Sequence, residues 1–169
     1  MNNFRLIGTF DYQPILGEVA NSPFWNWLNF RKVAGHSDDI ILRYQSIEGL
    51  KPISSIMTDF QCVDYMVQAL FPKTMQLVRE TFDQPIGRVV FARMSANSQI
   101  PLHTDEGPYS ERTNRHHFVV STNRGVWFTS GEERHQMERG SIYWFNNHVP
   151  HTVENAGTTA RIHLIVDTL

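Results

Sequence analysis

The spacing of apolar residues divides the chain near residue 85. Downstream of Gln84-Pro85-Ile86-Gly87 they fall into short runs rich in β-branched and aromatic types, separated by polar turns. The runs cover 88–94, 99–105, 115–122, 125–129, 141–145, 150–155 and 160–168. Many short strands at such intervals predict a sandwich, jelly roll or barrel.

Upstream the pattern is mixed. Residues 4–20 hold apolar pieces broken by Gly8, Pro14 and Gly17, which predict a strand or two at an edge. Asn21-Ser22-Pro23 has the polar cap and early proline of a helix start, leading into Phe24, Trp25, Trp27, Leu28 and Phe30. Ile40-Ile41-Leu42-Arg43-Tyr44 is a β-type run. Thr58-Asp59-Phe60-Gln61 fits a capping box. Phe60, Val63, Met66, Val67 and Leu70 then recur at helical spacing, predicting an amphipathic helix over 59–71. Pro72 interrupts it, and 74–82 continues as a second helical piece. The expectation is one domain, mainly β with N-terminal helices: helices and supporting strands over 1–84, and a jelly-roll core with the chemistry over 85–169.

Composition narrows the class. The 169 residues are 41% hydrophobic and 19% charged, which suits a globular core of one domain. Fifteen basic residues against 17 acidic ones give a net charge of -2, so there is no general electrostatic reason to bind nucleic acid or an anionic membrane. One cysteine, Cys62, excludes an internal disulfide and a cysteine-based zinc site. Without a basic leader or a long apolar run, a cytoplasmic protein is expected.

The candidate chemistry starts at Pro101-Leu102-His103-Thr104-Asp105. If 103–105 is extended, His103 and Asp105 point the same way and can meet one ion. A second imidazole, His151, would complete two histidines and one carboxylate, the facial triad of non-haem Fe(II) oxygenases. On the 115–122 strand, Arg115, His117, Val119 and Ser121 share one face and His116, Phe118 and Val120 the other. On the last strand Arg161, His163 and Ile165 lie opposite Ile162, Leu164 and Val166. An arginine on such a strand either sits at a solvated edge or reaches inward to a bound carboxylate. His36 with Asp38 repeats the His-x-Asp spacing, but a capped turn explains it as well. His148, three residues before His151, is a loop or substrate residue, and His135 falls on an exposed hairpin. The tryptophans, Trp25, Trp27, Trp127 and Trp144, are core anchors or rim residues.

Taken in order, His103-Thr104-Asp105, Arg115-His116-His117, the 140–147 run Gly-Ser-Ile-Tyr-Trp-Phe-Asn-Asn, His151 and Arg161-Ile162-His163-Leu164-Ile165-Val166-Asp167 resemble the aspartyl/asparaginyl β-hydroxylase family of Fe(II)- and 2-oxoglutarate-dependent dioxygenases. The resemblance implies a double-stranded β-helix (jelly roll, cupin-like). It implies His103 and His151 as iron ligands, with Arg161 bridging the distal carboxylate of 2-oxoglutarate. His117 should help hold that cosubstrate, and Arg115 should lie beside it or reach the substrate. O2 is the oxidant. Vertebrate members have glycine where this chain has Asp105, so a complete triad is expected here. A serine that contacts 2-oxoglutarate elsewhere aligns with Ala92.

Three functions are carried forward. The first is hydroxylation of an aspartyl/asparaginyl-type or other amino-acid side chain in a peptide or protein. The second is hydroxylation of a free amino acid or small metabolite. The third is a non-catalytic cupin-like protein that binds metal or 2-oxoglutarate.

Overall fold

The computed structural model describes residues 2–26, 37–45 and 62–169. The expected capping box at 58–61, Trp27, Leu28, Phe30 and His36 lie outside these.

The described strands form two facing sheets. Strands β1 (Phe4–Thr9), β2 (Ser37–Gln45), β3 (Cys62–Asp64), β4 (Ile86–Met94), β6 (Asn114–Ser121), β9 (Ser141–Phe145) and β11 (Arg161–Thr168) make a seven-stranded sheet in the order β1-β9-β6-β11-β4-β2-β3. Strands β5 (Ser98–His103), β7 (Val126–Ser130), β8 (Glu133–His135) and β10 (His151–Asn155) make a four-stranded sheet in the order β5-β10-β7-β8. All pairings are antiparallel, including β11 with β4 and with β6. The result is the expected double-stranded β-helix, with β1 at a sheet edge.

The large sheet uses its two faces differently. Outward, Ile40, Leu42, Val89, Phe91, Phe118, Val120, Ile142, Leu164 and Val166 pack under two helices, α1 (Tyr12–Val19) and α2 (Pro72–Thr81), through Ile15, Val19, Met75 and Val78. Each fully buried aliphatic or aromatic side chain contributes about 1.5–3 kcal/mol. Inward, Met94, Val119, Tyr143 and Phe145 meet Val126, Phe128 and Val153 of the small sheet. Polar residues interrupt this inner core, and they build the site.

Two local expectations fail. Residues 12–19 are helix rather than strand, because Asp11 caps the first turn by accepting from Gln13 N at 3.0 Å. Pro14 then falls in that turn, where its missing N–H costs nothing. The helix expected over 59–71 is not formed at 62–70. Cys62-Val63-Asp64 pair with Gln45-Tyr44-Arg43, and Met66–Leu70 is a short 3-10 helix. Helical periodicity there yields to strand pairing, leaving Met66 94% exposed.

Pro72 opens α2 instead of interrupting it. The cap comes from α1: Glu18 accepts from Lys73 N at 2.8 Å, and from Thr74 N at 3.0 Å and Thr74 Oγ1 at 2.7 Å. Among the described residues no helix is long and apolar enough to cross a membrane.

Glu18→Ala should lower unfolding free energy by about 0.5–2 kcal/mol, the usual value of a helix cap. Urea denaturation measures it, and an unchanged midpoint would mean that α2 does not depend on its neighbour.

Candidate metal and oxoacid site

β5 and β10 lie side by side at the mouth of the barrel, with His103 directly opposite His151. Two residues later on β10, Val153 faces Ile100, three residues back on β5, so β5 carries one extra residue over Pro101-Leu102. Such a bulge re-aims side chains, and proline suits it because it has no N–H to leave unpaired. The Pro101 carbonyl accepts from His103 Nδ1 at 2.8 Å, and the Val149 carbonyl does the same for His151 Nδ1 at 2.9 Å. A carbonyl only accepts, so each Nδ1 carries the proton and each Nε2 keeps its lone pair for another partner.

Asp105 reaches the pair by a different route from the one expected. β5 ends at His103, so alternation along a strand does not place Asp105. Its N–H instead donates to the Asn147 carbonyl at 3.2 Å. Its Oδ2 accepts from Asn147 Nδ2 at 3.3 Å and from Arg115 Nη1. Oδ1 stays free of those bonds, 4.0 Å from His103 Nε2. Ligand atoms of His103, Asp105 and His151 lie within 4.8 Å of one another, a spacing that can hold one metal ion.

Arg115 is buried and held from behind. Its Nε and Nη2 donate to Asp167 Oδ1 and Oδ2 at 2.9 and 3.1 Å, and Asp167 is fully buried. Burial disfavours the charge on Arg115, but Asp167 and Asp105 outweigh it and hold the guanidinium protonated. Burial likewise opposes ionisation of Asp105. The Arg115 charge and the Asn147 hydrogen bond reverse that and keep its pKa below the ordinary carboxylate value.

The triad opens onto a cavity of about 150 Å³, also lined by Ser37, Asp39, Ala92, His117, Phe128 and Arg161. Arg161 is 2% exposed, and its Nε and Nη1 have no hydrogen-bond partner among the described residues. Burial pushes its pKa down to about 10, opposed by the Asp39 charge. A guanidinium so placed still carries its charge at neutral pH, and an unpaired buried charge is costly. An anion entering the cavity would offer that charge a partner. The donor set, two imidazoles and a carboxylate beside a cation, therefore fits both a hard divalent ion and an oxoacid that would chelate it.

All six expected site residues line this one cavity: His103, Asp105, His151, Arg115, His117 and Arg161. Ala92 lines it too, in register between Asp39 and His163. Other candidates lie elsewhere. His148 is exposed. His135 stacks on Phe4 and meets Tyr143. Trp25, Trp127 and Trp144 lie under Arg93, Arg134 and Arg5. Asn147, Asp167 and Asp39 were not expected in the site. Asp167 alone had a sequence signal, as a carboxylate on the same strand face as Arg161.

The family model described as aspartyl/asparaginyl beta-hydroxylase matches residues 61–169. A curated relative from Rhizobium meliloti (strain 1021), L-proline cis-4-hydroxylase, is 31% identical over 97 residues. That match takes in 57% of this chain but only 35% of the relative's length. Among solved structures, a 2OG-Fe(II) oxygenase family oxidoreductase from Burkholderia pseudomallei superposes with a TM-score of 0.58 at 12% identity, over 98% of this chain and 83% of that one. A Pseudomonas putida prolyl-4-hydroxylase gives 0.55 at 13%, over 99% and 92%. At these identities the superpositions establish the shared fold.

Burial holds the pKa of His116, His117, His151 and His163 below the usual 6.5, while in the unfolded chain they titrate near it. As pH falls below about 6.5 the unfolded state therefore takes up protons first, and stability present above that pH is lost. Thermal melts of the metal-free protein should fall steadily from pH 6.5 to 5, and a flat profile would contradict the buried, neutral state of these rings.

Proposed function

The chain belongs to the aspartyl/asparaginyl β-hydroxylase family, and on that basis we propose that it is an Fe(II)- and 2-oxoglutarate-dependent dioxygenase that hydroxylates an unactivated carbon of an amino-acid-type substrate. The observation that carries this reading is Arg161: a fully buried guanidinium with two nitrogens unpartnered among the described residues, in the same small cavity as two histidines and a carboxylate. A plain metal-binding jelly roll needs no such cation.

In this reading His103, Asp105 and His151 would hold Fe(II). Asp105 serves through Oδ1, since Arg115 and Asn147 occupy Oδ2. Arg161 pairs with the distal carboxylate of 2-oxoglutarate, and His117 supports the same ligand. Arg115 lies beside the same cavity, held there by its bonds to Asp105 and Asp167. When bound, the iron and the oxoacid supply dioxygen activation, with 2-oxoglutarate leaving as succinate and CO2 and one oxygen atom entering a substrate C–H bond. Phe128, Phe145 and Val153 wall the cavity and exclude water from that reaction.

For the substrate, the curated relative's name favours a free amino acid of the proline type, and the small cavity accords with it. An aspartyl or asparaginyl side chain in a peptide, the substrate of the family's name, is the second reading.

Anaerobic protein with Fe(II) should develop a visible charge-transfer band only when 2-oxoglutarate is added. Arg161→Ala should weaken that binding by about thirtyfold or more, as expected on truncating a buried charged partner. An unchanged band in the variant would overturn the assigned oxoacid site. Mass spectrometry should then detect a 16-dalton gain, with succinate release, on L-proline or a related free amino acid. A gain confined to Asp- or Asn-containing peptides would select the second reading, and no succinate release under any condition would sink the enzyme assignment.

A further inference from the structure

A second histidine lies on the inward face of β11, and no role above uses it. His163 is fully buried, in register with Ala92 on β4 and Val119 on β6. Its ring stacks parallel on Phe128, 5.5 Å between centroids and 5° apart. Its Nδ1 lies 3.1 Å from Nδ1 of His117. His117 lines the cavity, whereas His163 meets it only through His117 and Phe128.

Two imidazole Nδ1 atoms at this distance share one proton. Two lone pairs would repel, and two N–H groups would collide. Burial drives both rings well below their ordinary pKa, and the nearby Arg161 charge drives them further, so both are neutral. The two rings therefore have opposite tautomers, and access to the cavity decides which ring has which. Among the described residues neither buried Nε2 atom has a protein partner. If His117 donated through Nδ1, the remaining N–H of the pair would sit on His163, which does not line the cavity. If His163 donates, it is left with only a lone pair, and the remaining N–H sits on His117 at the cavity wall. A buried N–H with no acceptor is the rarer and costlier defect.

We propose that His163 is a positioning residue: its Nδ1–H fixes His117 as the Nε2–H tautomer, so that His117 and Arg161 together present donors to a carboxylate in the cavity. The identity of that carboxylate as 2-oxoglutarate rests on the function proposed above, whereas the tautomer does not. Ala92 also fits this arrangement. Its side chain has no polar atom to offer the ligand, so at this register position β11 contributes through His163, acting on His117 of β6.

Long-range 1H–15N correlation spectra of the 15N-labelled, metal-free protein at pH 7.5 read both tautomers directly. His117 should show Nε2–H and His163 Nδ1–H; the reverse assignment overturns the proposal. In His163→Leu the His117 tautomer should become mixed or revert to Nδ1–H, and in His163→Gln, whose amide can donate to Nδ1, it should stay Nε2–H. A pure Nε2–H tautomer in His163→Leu would show that His163 does not set it, whatever the ligand.

Anaerobic titration of the Fe(II)-loaded proteins separates the two claims. Affinity for 2-oxoglutarate should fall about tenfold in His163→Leu, the scale of one hydrogen bond to a charged group, and recover in His163→Gln, with Fe(II) binding unchanged throughout. Equal affinity in wild type and His163→Leu overturns the positioning role. Failure of the wild type to bind 2-oxoglutarate while the expected tautomers are seen would sink the cosubstrate, not the tautomer.

Discussion

The Asp105–Arg115–Asp167 chain is the interaction on which the site depends. It links a residue outside any strand, Asp105, to the middle of the large sheet through one buried guanidinium. Arg115 would be untenable alone in such a place, and Asp167 would be equally untenable, since isolated ions of either sign are too costly to bury. Together they are nearly neutral, and Asp105 brings the surplus negative charge forward to the two imidazoles. The chain thus stores a negative charge where a divalent cation would use it. Its donors also consume Oδ2, so the Asp105 carboxylate has only one oxygen turned toward the histidines.

That arrangement is possible because the large sheet separates its two tasks by face. Outward positions on β4, β6 and β11 are largely apolar and take the helices, which supplies the hydrophobic stabilisation. Inward positions on the same strands alternate with them and carry Arg115, His117, Arg161, His163 and Asp167. The cost of burying so much polarity falls on strands that are anchored from behind by Phe91, Phe118, Leu164 and Val166. The small sheet then adds the two histidines at its edge, where the bulge at Pro101-Leu102 and the backbone carbonyls set the ring orientation.

The charge pattern inside the cavity divides it into two environments. Near the triad, acidic and basic groups are closely paired, and the two imidazoles present lone pairs. Around Arg161 the neighbours His117 and His163 are neutral, Phe128 lies under the guanidinium at 5.3 Å, and the Asp39 carboxylate opposes the positive charge. A metal cation and an organic anion would thereby be drawn to different parts of one small volume.

Much of this was legible in the chain. Alternation along 115–121 and 161–167 placed Arg115, His117, Arg161 and His163 on one face, because the side-chain direction in a strand is fixed by a local two-residue period. The apolar runs located the β core for the same reason. Where tertiary pairing competed with local preference, the sequence misled: residues 62–64 left a helical pattern to pair with β2, and Pro14 looked like a breaker but fell harmlessly in a first turn. Asp105 was assigned to the site through a strand geometry it does not have. Its true support, Asn147 and Arg115, comes from segments 42 and 10 residues away. The Nδ1 contact between His117 and His163 spans 46 residues. Local order is written in neighbouring residues, but which charge meets which between two facing sheets depends on strand register and burial, and those exist only once the sheets have packed.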